Sequence, residues 1–402
     1  MFICTLYDLL LTRNPAACQA LRRTDDNFSL DICSNASILL TKRNIYMTKC
    51  LTRETYAIPT TPFKILLVRC QQAEKHATMP VTLTFHDSQY PSQVAEQLCQ
   101  GLRNKRLSSK FLYASPAQAQ RWLTYHKAFS PSRTEPALRE LYQQSFQAAL
   151  RMLSFEALHY VSLGCGGGAK DSLFLQQATP LYPMLHFTPM DISAALVIET
   201  MLHLPQAMRN LPNFPLVIDL ETEPDLTPIL EQHETPTMGR LLACFGMIPN
   251  FDYQRFLPYI RSLMRPKDML LLSANLSPSP YPDAASHIVP QYDNPLAHAW
   301  FMGLFESLGF PAADLELQID AHPLSLNGHV WQIRTAAQCL RQVQLTLYDE
   351  SFTFQSEERL HLFFSNRFTP QAMPSILADA GLNVLETFLF ASREEGIYLC
   401  SA

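Results

Sequence analysis

Apolar and polar positions change period twice along this chain. From residue 79 to 157 the period is mostly helical. Val94, Leu98 and Leu102 recur at i, i+4 and i+8 in SQVAEQLCQGLRNKR, and PALRELYQQSFQAALRMLSF predicts a long helix. From 158 to 275 short apolar runs alternate with helical stretches. The runs are YVSL, LHFTPMDI, FPLVIDLE, GRLLACFGMIPNF and DMLLLSANLS. Strands buried on both faces read this way, and their alternation with helices predicts a parallel sheet covered on both sides. Further on, DLELQI, HVWQIRTAAQCLRQVQLTLY and ERLHLFFSNRF alternate apolar with polar, as antiparallel strands do. A helix at TPQAMPSILADAGL and a hairpin, VLETFLFAS with GIYLC, close the chain. The expected organisation is a leader (1–78), an N-terminal helical segment (79–157), a Rossmann-like domain of alternating strands and helices (158–276) and a C-terminal domain with antiparallel strands (277–402).

The first run of the middle segment, YVSL, leads directly into Gly164, Gly166, Gly167 and Gly168. Four of the chain's 12 glycines therefore fall within five positions. Glycine accepts positive φ and lets a ligand approach the backbone. A strand, such a loop and a helix, here with Asp171 as the expected N-cap, form the nucleotide-binding element of a Rossmann-like sheet. The next strand ends in Asp191, about 20 residues beyond the loop, where a carboxylate accepts ribose hydroxyls. The third ends in Asp219, and the fourth carries Gly246 and Asn250. Ligands of open α/β sheets bind outside these carboxyl ends. The loop reads G-x-G-G-G and lacks GK[ST], so a nucleotide without phosphates, S-adenosylmethionine (SAM), fits it better than ATP or GTP.

Composition narrows the partners. The net charge is −5 and only 17% of residues are charged, which disfavours a nucleic-acid or anionic-membrane surface. No apolar run reaches the 18 residues that suggest a membrane helix. The ten cysteines are scattered, without C-x-x-C or zinc spacing, and the histidines show no H-x-x-x-H pairing. A metal-free, reduced, cytoplasmic and monomeric protein is expected. Residues 1–78 differ from the rest: they lack glycine, hold five of the cysteines and carry ten Lys/Arg against six Asp/Glu. They are expected to be a leader of uncertain order that folding from Met79 onward does not need.

YVSLGCGGGAKD, FTPMDIS, LVIDLE and RLLACFGMIPNF, in this order and spacing, resemble the histidine-specific SAM-dependent methyltransferase family of the ergothioneine pathway. The resemblance covers roughly residues 100 to 400. It implies a class I methyltransferase sheet with a second α+β domain built from N- and C-terminal segments. It places Lys170 on the family's loop lysine, Asp191 on its ribose acid, Asp219 and Leu220 on the adenine side, and Asn250 on the asparagine of its G-N step. Gly164 and Gly166 are expected to line the cofactor. SKFLYAS resembles the family's K-F-F-Y-D, which puts Tyr113 on the tyrosine, with Ala114 where the family has Asp. QYDNP puts Tyr292 on the tyrosine of A-Y-D-D. Phe129 and Ser130 stand where the family has two tyrosines, and Arg133, Thr134 and Glu135 match its R-T-E.

Methyl transfer from a sulfonium is an in-line displacement that needs an unprotonated nucleophile held near the methyl group. Tyr113, Asn250 and Tyr292 are the expected residues at the reacting amine. Family members that methylate histidine hold its imidazole with a glutamate in a strand motif like I-E-M-x-L. The strand compared with it here is HVWQIRTAA, with Gln332 in place of the glutamate and Arg334 nearby. An amide cannot pair with an imidazolium, and a guanidinium favours an anionic group. The expected substrate is a small amine or amino-acid-like molecule, with histidine a poor one. An NAD-dependent oxidoreductase and a degenerate methyltransferase fold acting as a binding module are the alternatives.

Overall fold

The computed structural model describes residues 79–130 and 134–402, and before them five strand segments: β1 (Leu21–Thr24), β2 (Asn27–Asp31), β3 (Ala36–Thr41), β4 (Ile45–Lys49) and β5 (Lys64–Cys70). The first four form a sheet of their own. Among the described residues, β6 (Met79–Phe85) is followed by α1 (Pro91–Arg103), α2 (Phe111–Ala114), α3 (Pro116–Phe129) and α4 (Pro136–Met152). Val94, Leu98 and Leu102, the periodic residues of α1, are buried. Strand and helix then alternate through β7 (Ala157–Leu163), α5 (Ala169–Ala178), β8 (Met184–Asp191), α6 (Ala194–His203), β9 (Leu216–Val217), α7 (Thr227–Glu231), β10 (Met238–Phe245), α8 (Tyr253–Ser262) and β11 (Met269–Asn275).

Seven strands of a nine-stranded sheet follow the order of a doubly wound α/β fold. β10, β7, β8 and β9 lie side by side, and β11 follows β10; all five run parallel. The chain leaves β7 towards β8 and β9, then returns to lay β10 on the other side of β7. That reversal opens a crevice at the carboxyl ends of β7 and β10, where such sheets bind ligands. Every residue of β7 is buried, His159 and Ser162 included, as in a strand covered on both faces. α4, α5 and α6 cover one face of the sheet, and α7 and α8 cover the other.

After α9 (Ala285–Ile288) and α10 (Pro295–Leu308) come β12 (Leu315–Pro323), β13 (Val330–Cys339), β14 (Val343–Leu347), β15 (Glu350–Phe354) and β16 (Arg359–Phe368). β12, β13 and β16 form an antiparallel sheet, and β14 pairs with β15. α1, α2, α10 and these strands share one core that includes Phe111, Trp300, Trp331 and Ile333. The second domain is thus assembled from N- and C-terminal segments, as the resemblance implies. The chain ends with α11 (Met373–Asp379), β17 (Asn383–Leu389) and β18 (Glu395–Ser401).

Three local expectations are corrected. The stretch HVWQIRTAAQCLRQVQLTLY is two strands, β13 and β14, in different sheets, because the chain turns after Cys339. The closing hairpin belongs to the nucleotide-binding sheet, where β18 pairs antiparallel with β11. β17 alternates like the strands of the second domain that precede it, but β18 is buried almost throughout, as a strand inside the main sheet is. β6 also joins the main sheet, beside β9, and β5 pairs along its outer edge. The leader's other residues, and with them the expectation of uncertain order, lie outside the described residues.

Candidate active site

The loop after β7 owes its shape to its glycines. Gly164, Gly166, Gly167 and Gly168 all have positive φ. Gly168, at φ 73, is the N-cap residue of α5, and a Cβ there would come within 2.8 Å of the Thr200 Cα. Asp171 is therefore not the cap. It is buried in the first turn of α5 and accepts a hydrogen bond from the Tyr160 hydroxyl at 2.9 Å. β7 and α5 are thereby tied together behind the loop.

Asp191, at the end of β8, is buried beside this loop. One carboxylate oxygen accepts the Gly166 amide and the other the Ser193 amide, each at 3.0 Å. Burial pushes its pKa up to about 6, against the opposing pull of the Ser193, Gly166 and Ile192 amides. Asp219 follows β9. It accepts the Glu221 amide at 3.0 Å and forms a nearly dry ion pair with Lys110, from the segment leading into α2. Ser193 and Asp252 are the N-caps of α6 and α8.

Asn250 ends a short 3-10 turn after β10, and its Nδ2 donates to the Tyr113 hydroxyl at 2.8 Å. This hydrogen bond joins residues 137 positions apart, one from the nucleotide-binding sheet and one from the second domain. Burial holds the Tyr113 phenol above its ordinary pKa, and nearby Tyr292 and Asp191 act in the same direction. The Tyr292 hydroxyl donates to Ser365 Oγ at 3.1 Å and accepts from Arg367 Nη2 at 2.9 Å. Lys170, in the first turn of α5, lies over the Tyr142 ring at 4.4 Å, with Glu395 Oε1 at 3.7 Å.

These groups enclose a cavity of about 580 Å³ at the carboxyl ends of the parallel strands. Nine of the eleven residues expected from sequence line it: Tyr113, Gly164, Gly166, Lys170, Asp191, Asp219, Leu220, Asn250 and Tyr292. Phe129 and Ser130 line it too, and Arg133 lies outside the described residues.

Gln332 and Arg334 do not line the cavity. A strand turns alternate side chains to opposite faces. Trp331 and Ile333 enter the core of the second domain, which puts Gln332 and Arg334 on the other face of β13. There Arg334 donates to Gln332 at 2.7 Å, Gln332 to Asn366 at 2.8 Å, and Asn366 to the Phe251 carbonyl at 2.8 Å. Gln332 thus buttresses the turn that carries Asn250. The neighbouring strand β16 supplies the cavity instead, through Phe363 and Arg367. Lys110, Trp122, Tyr125 and Glu395 were also missed; only Lys110 had a local clue, as the first residue of the segment compared with K-F-F-Y-D.

The residues present fit an adenosine-bearing sulfonium. Two carboxylates stand at adjacent strand ends. The backbone is open at Gly246, where a Cβ would meet no atom within 4 Å. Aromatic rings surround the space, with Tyr113 5.7 Å from Trp122 and 5.4 Å from Trp300 between ring centroids. Among the described residues no His/Cys/Asp/Glu group is placed to hold a metal ion, and no helix is long and apolar enough to cross a membrane.

This fold with this cavity defines a SAM-dependent methyltransferase with a Rossmann-like sheet and a second α+β domain. The chain belongs to the family described as histidine-specific methyltransferase, SAM-dependent, whose model matches residues 94–402. No curated protein matches the chain. Solved structures that resemble it include a SAM-dependent methyltransferase from Clostridium acetobutylicum, at 10% identity, covering 71% of this chain and 98% of that one, with a TM-score of 0.37. A second is the glycopeptide N-methyltransferase MtfA complexed with S-adenosyl-L-homocysteine (11% identity, 64% and 86% covered, TM-score 0.32). A third is human N-acetylserotonin methyltransferase in complex with SAM (13% identity, 76% and 65% covered, TM-score 0.35).

Proposed function

We propose that this SAM-dependent methyltransferase N-methylates a small amine or amino-acid-like acceptor, which Tyr113 and Asn250 hold by its amine. The observation that carries this reading is the hydrogen bond between these two side chains inside the cavity. SAM supplies an electrophilic methyl group. Gly164, Gly166, Lys170, Asp191, Asp219 and Leu220 would hold it, with Asp191 accepting the ribose hydroxyls. Tyr113 stays a neutral phenol, so it orients the acceptor amine rather than acting as a phenolate base. Asn250 fixes the direction of that phenol by donating to its oxygen. Tyr292, fixed from both sides by Ser365 and Arg367, forms the opposite wall. Surrounding rings favour an ammonium group, and more so a methylated one.

Free histidine is a poor acceptor in this reading. The strand pair β13 and β16 gives the cavity a ring, Phe363, and a cation, Arg367, but no carboxylate to hold an imidazolium. Methyl transfer to a panel of amino acids and amines, read by mass spectrometry, checks this. An acceptor other than histidine is expected to be methylated fastest, and Tyr113→Phe is expected to slow it about 10- to 100-fold. Efficient trimethylation of histidine by the unaltered enzyme would refute the assignment.

Cofactor affinity should depend on pH through Asp191. Its carboxylate is the form that accepts two hydroxyls, so a proton competes with the ligand. With the group titrating at about 6, affinity for S-adenosylhomocysteine is expected to be flat above that pH. Below it, affinity should fall by up to about tenfold per pH unit. Asp191→Asn should bind more weakly and without this dependence. A wild-type affinity unchanged between pH 5 and 8, chosen as about one unit or more either side of that value, would show that Asp191 does not hold the ligand.

A further inference from the structure

Glu395 opens β18 at the carboxyl end of the main sheet, opposite Asn275 of β11. It is 8% exposed and lines the cavity. Its Oε1 accepts a hydrogen bond from the Tyr142 hydroxyl of α4. Burial and the Glu395 charge raise the Tyr142 phenol well above its ordinary pKa, so it keeps its proton and donates. Oε2 accepts no hydrogen bond among the described residues, and it is not closed off by protein. The Lys170 ammonium lies 3.7 Å from Oε1, beyond hydrogen-bond reach, and over the Tyr142 and Phe245 rings at 4.4 and 5.6 Å. A cation in the first turn of a helix opposes the macrodipole, and a carboxylate is costly to bury unless paired and hydrogen-bonded. One wall of the cavity thus presents an anion and a cation side by side, not joined by a hydrogen bond.

We propose that Glu395 binds the ammonium group of the cofactor's amino-acid portion, beside Lys170 on its carboxylate, with Tyr142 as a positioning residue that fixes Glu395. This rests on the reading of the cavity as a SAM site and adds the closing hairpin to it. The charges match in kind and arrangement, because the ammonium and carboxylate of an α-amino acid share one carbon and lie side by side. Strand order decides which end of the cofactor this wall meets. Asp191 and Asp219 follow β8 and β9 on one side of β7, while β10, β11 and β18 lie on the other. With the adenosine at the two acids, the amino-acid end falls to the side where Glu395 stands. Lys170 joins the two halves, since its helix begins where the glycine loop ends. The Tyr142 hydroxyl occupies Oε1 and leaves Oε2 to accept from an ammonium, a charge-assisted hydrogen bond.

Calorimetric titrations of the full-length protein with S-adenosylhomocysteine, its deaminated analogue, its decarboxylated analogue and 5′-methylthioadenosine, which lacks both groups, test this. Wild type should bind S-adenosylhomocysteine at least about tenfold more tightly than the deaminated analogue, as expected for a hydrogen bond between charged groups. Glu395→Gln should cut that advantage to about threefold or less. Its affinity for the deaminated analogue should be unchanged or tighter, because a charge of the same sign as the carboxylate has gone. Lys170→Met should do the converse and erase only the advantage of S-adenosylhomocysteine over the decarboxylated analogue. Tyr142→Phe should lower the ammonium-dependent advantage in part and leave 5′-methylthioadenosine binding as in wild type, an outcome that loss of structure would not produce. An unchanged advantage in Glu395→Gln, or equal losses for all the ligands, would overturn the proposal. Weaker acceptor binding to Glu395→Gln saturated with S-adenosylhomocysteine, with the cofactor ratios intact, would also overturn it and assign Glu395 to the acceptor. If Glu395→Gln does not fold, Glu395→Asp, with its shorter reach, should lower the same ratio, and an unchanged ratio would refute the assignment. Wild type that binds none of these ligands would refute the SAM reading itself. Wild type that binds S-adenosylhomocysteine no better than the deaminated analogue would refute the role of Glu395 alone.

Discussion

Asn250→Ala is expected to lower kcat for the best acceptor by about 100- to 1000-fold, the cost of losing positioning and a hydrogen bond at a reacting centre. Affinity for S-adenosylhomocysteine should stay within about threefold of wild type, because the groups assigned to the cofactor are untouched. Two links produce this outcome. The 3-10 turn Ile248–Asn250 fixes the backbone immediately after β10, at the carboxyl end of the sheet. From there the side chain reaches across to Tyr113 and joins the two domains over the cavity. Steady-state kinetics with a parallel cofactor titration checks the result. Equal losses in kcat and in cofactor affinity would mean that Asn250 belongs to the cofactor pocket instead.

Glu234→Ala should have the largest effect on stability and almost none on the site. Glu234 is buried below the amino ends of β7 and β10, opposite the cavity. One oxygen meets His159 Nδ1 at 2.7 Å, both take the Arg240 guanidinium, and Arg265 adds a contact at 2.9 Å. Removing this carboxylate leaves Arg240 buried and unpaired, which costs about 3–5 kcal/mol. For a chain of this size that corresponds to a fall in Tm of roughly 4–6 °C. Burial pushes the Glu234 pKa up, but hydrogen bonds from His159 and Arg240 outweigh it and hold it down at about 2. A carboxylate depressed on folding stabilises fully above its unfolded pKa, about 4.3, and loses that contribution as pH falls towards 2. The deficit of Glu234→Ala relative to wild type should therefore be constant from pH 5 to 8 and shrink only below about 4. Thermal melts across that range check it. A Tm within about 2 °C of wild type at pH 7 would show that the pairing contributes little.

What the sequence showed and what it hid follow from how far each interaction reaches. The glycine loop and the acids Asp191 and Asp219 were legible because strand, loop and helix are adjacent in the chain. Their meeting at one cavity follows from the sheet's reversal between β7 and β10. The Lys110–Asp219 pair spans 109 positions and the Tyr113–Asn250 bond 137, distances over which local pattern carries no information. The substrate wall was misread on β13 because its period-two pattern says that faces alternate, not which face meets the cavity. A one-strand displacement, from Gln332 and Arg334 on β13 to Phe363 and Arg367 on β16, separates the expected wall from the observed one. β17 and β18 follow the second domain's strands in the chain and were assigned to it, although β18 pairs with β11 in the first.

The central claim is that the cavity at the carboxyl ends of β7, β8 and β10 binds SAM through the strand-end acids. Calorimetric titration of the full-length protein with S-adenosylhomocysteine, side by side with Asp191→Ala, tests it most directly. The expected result is saturable one-to-one binding in wild type, weakened in Asp191→Ala by about 1.5–3 kcal/mol, the cost of hydrogen bonds to a charged acceptor. Wild-type protein that binds NAD but not S-adenosylhomocysteine, or an Asp191→Ala variant with undiminished affinity, would contradict it.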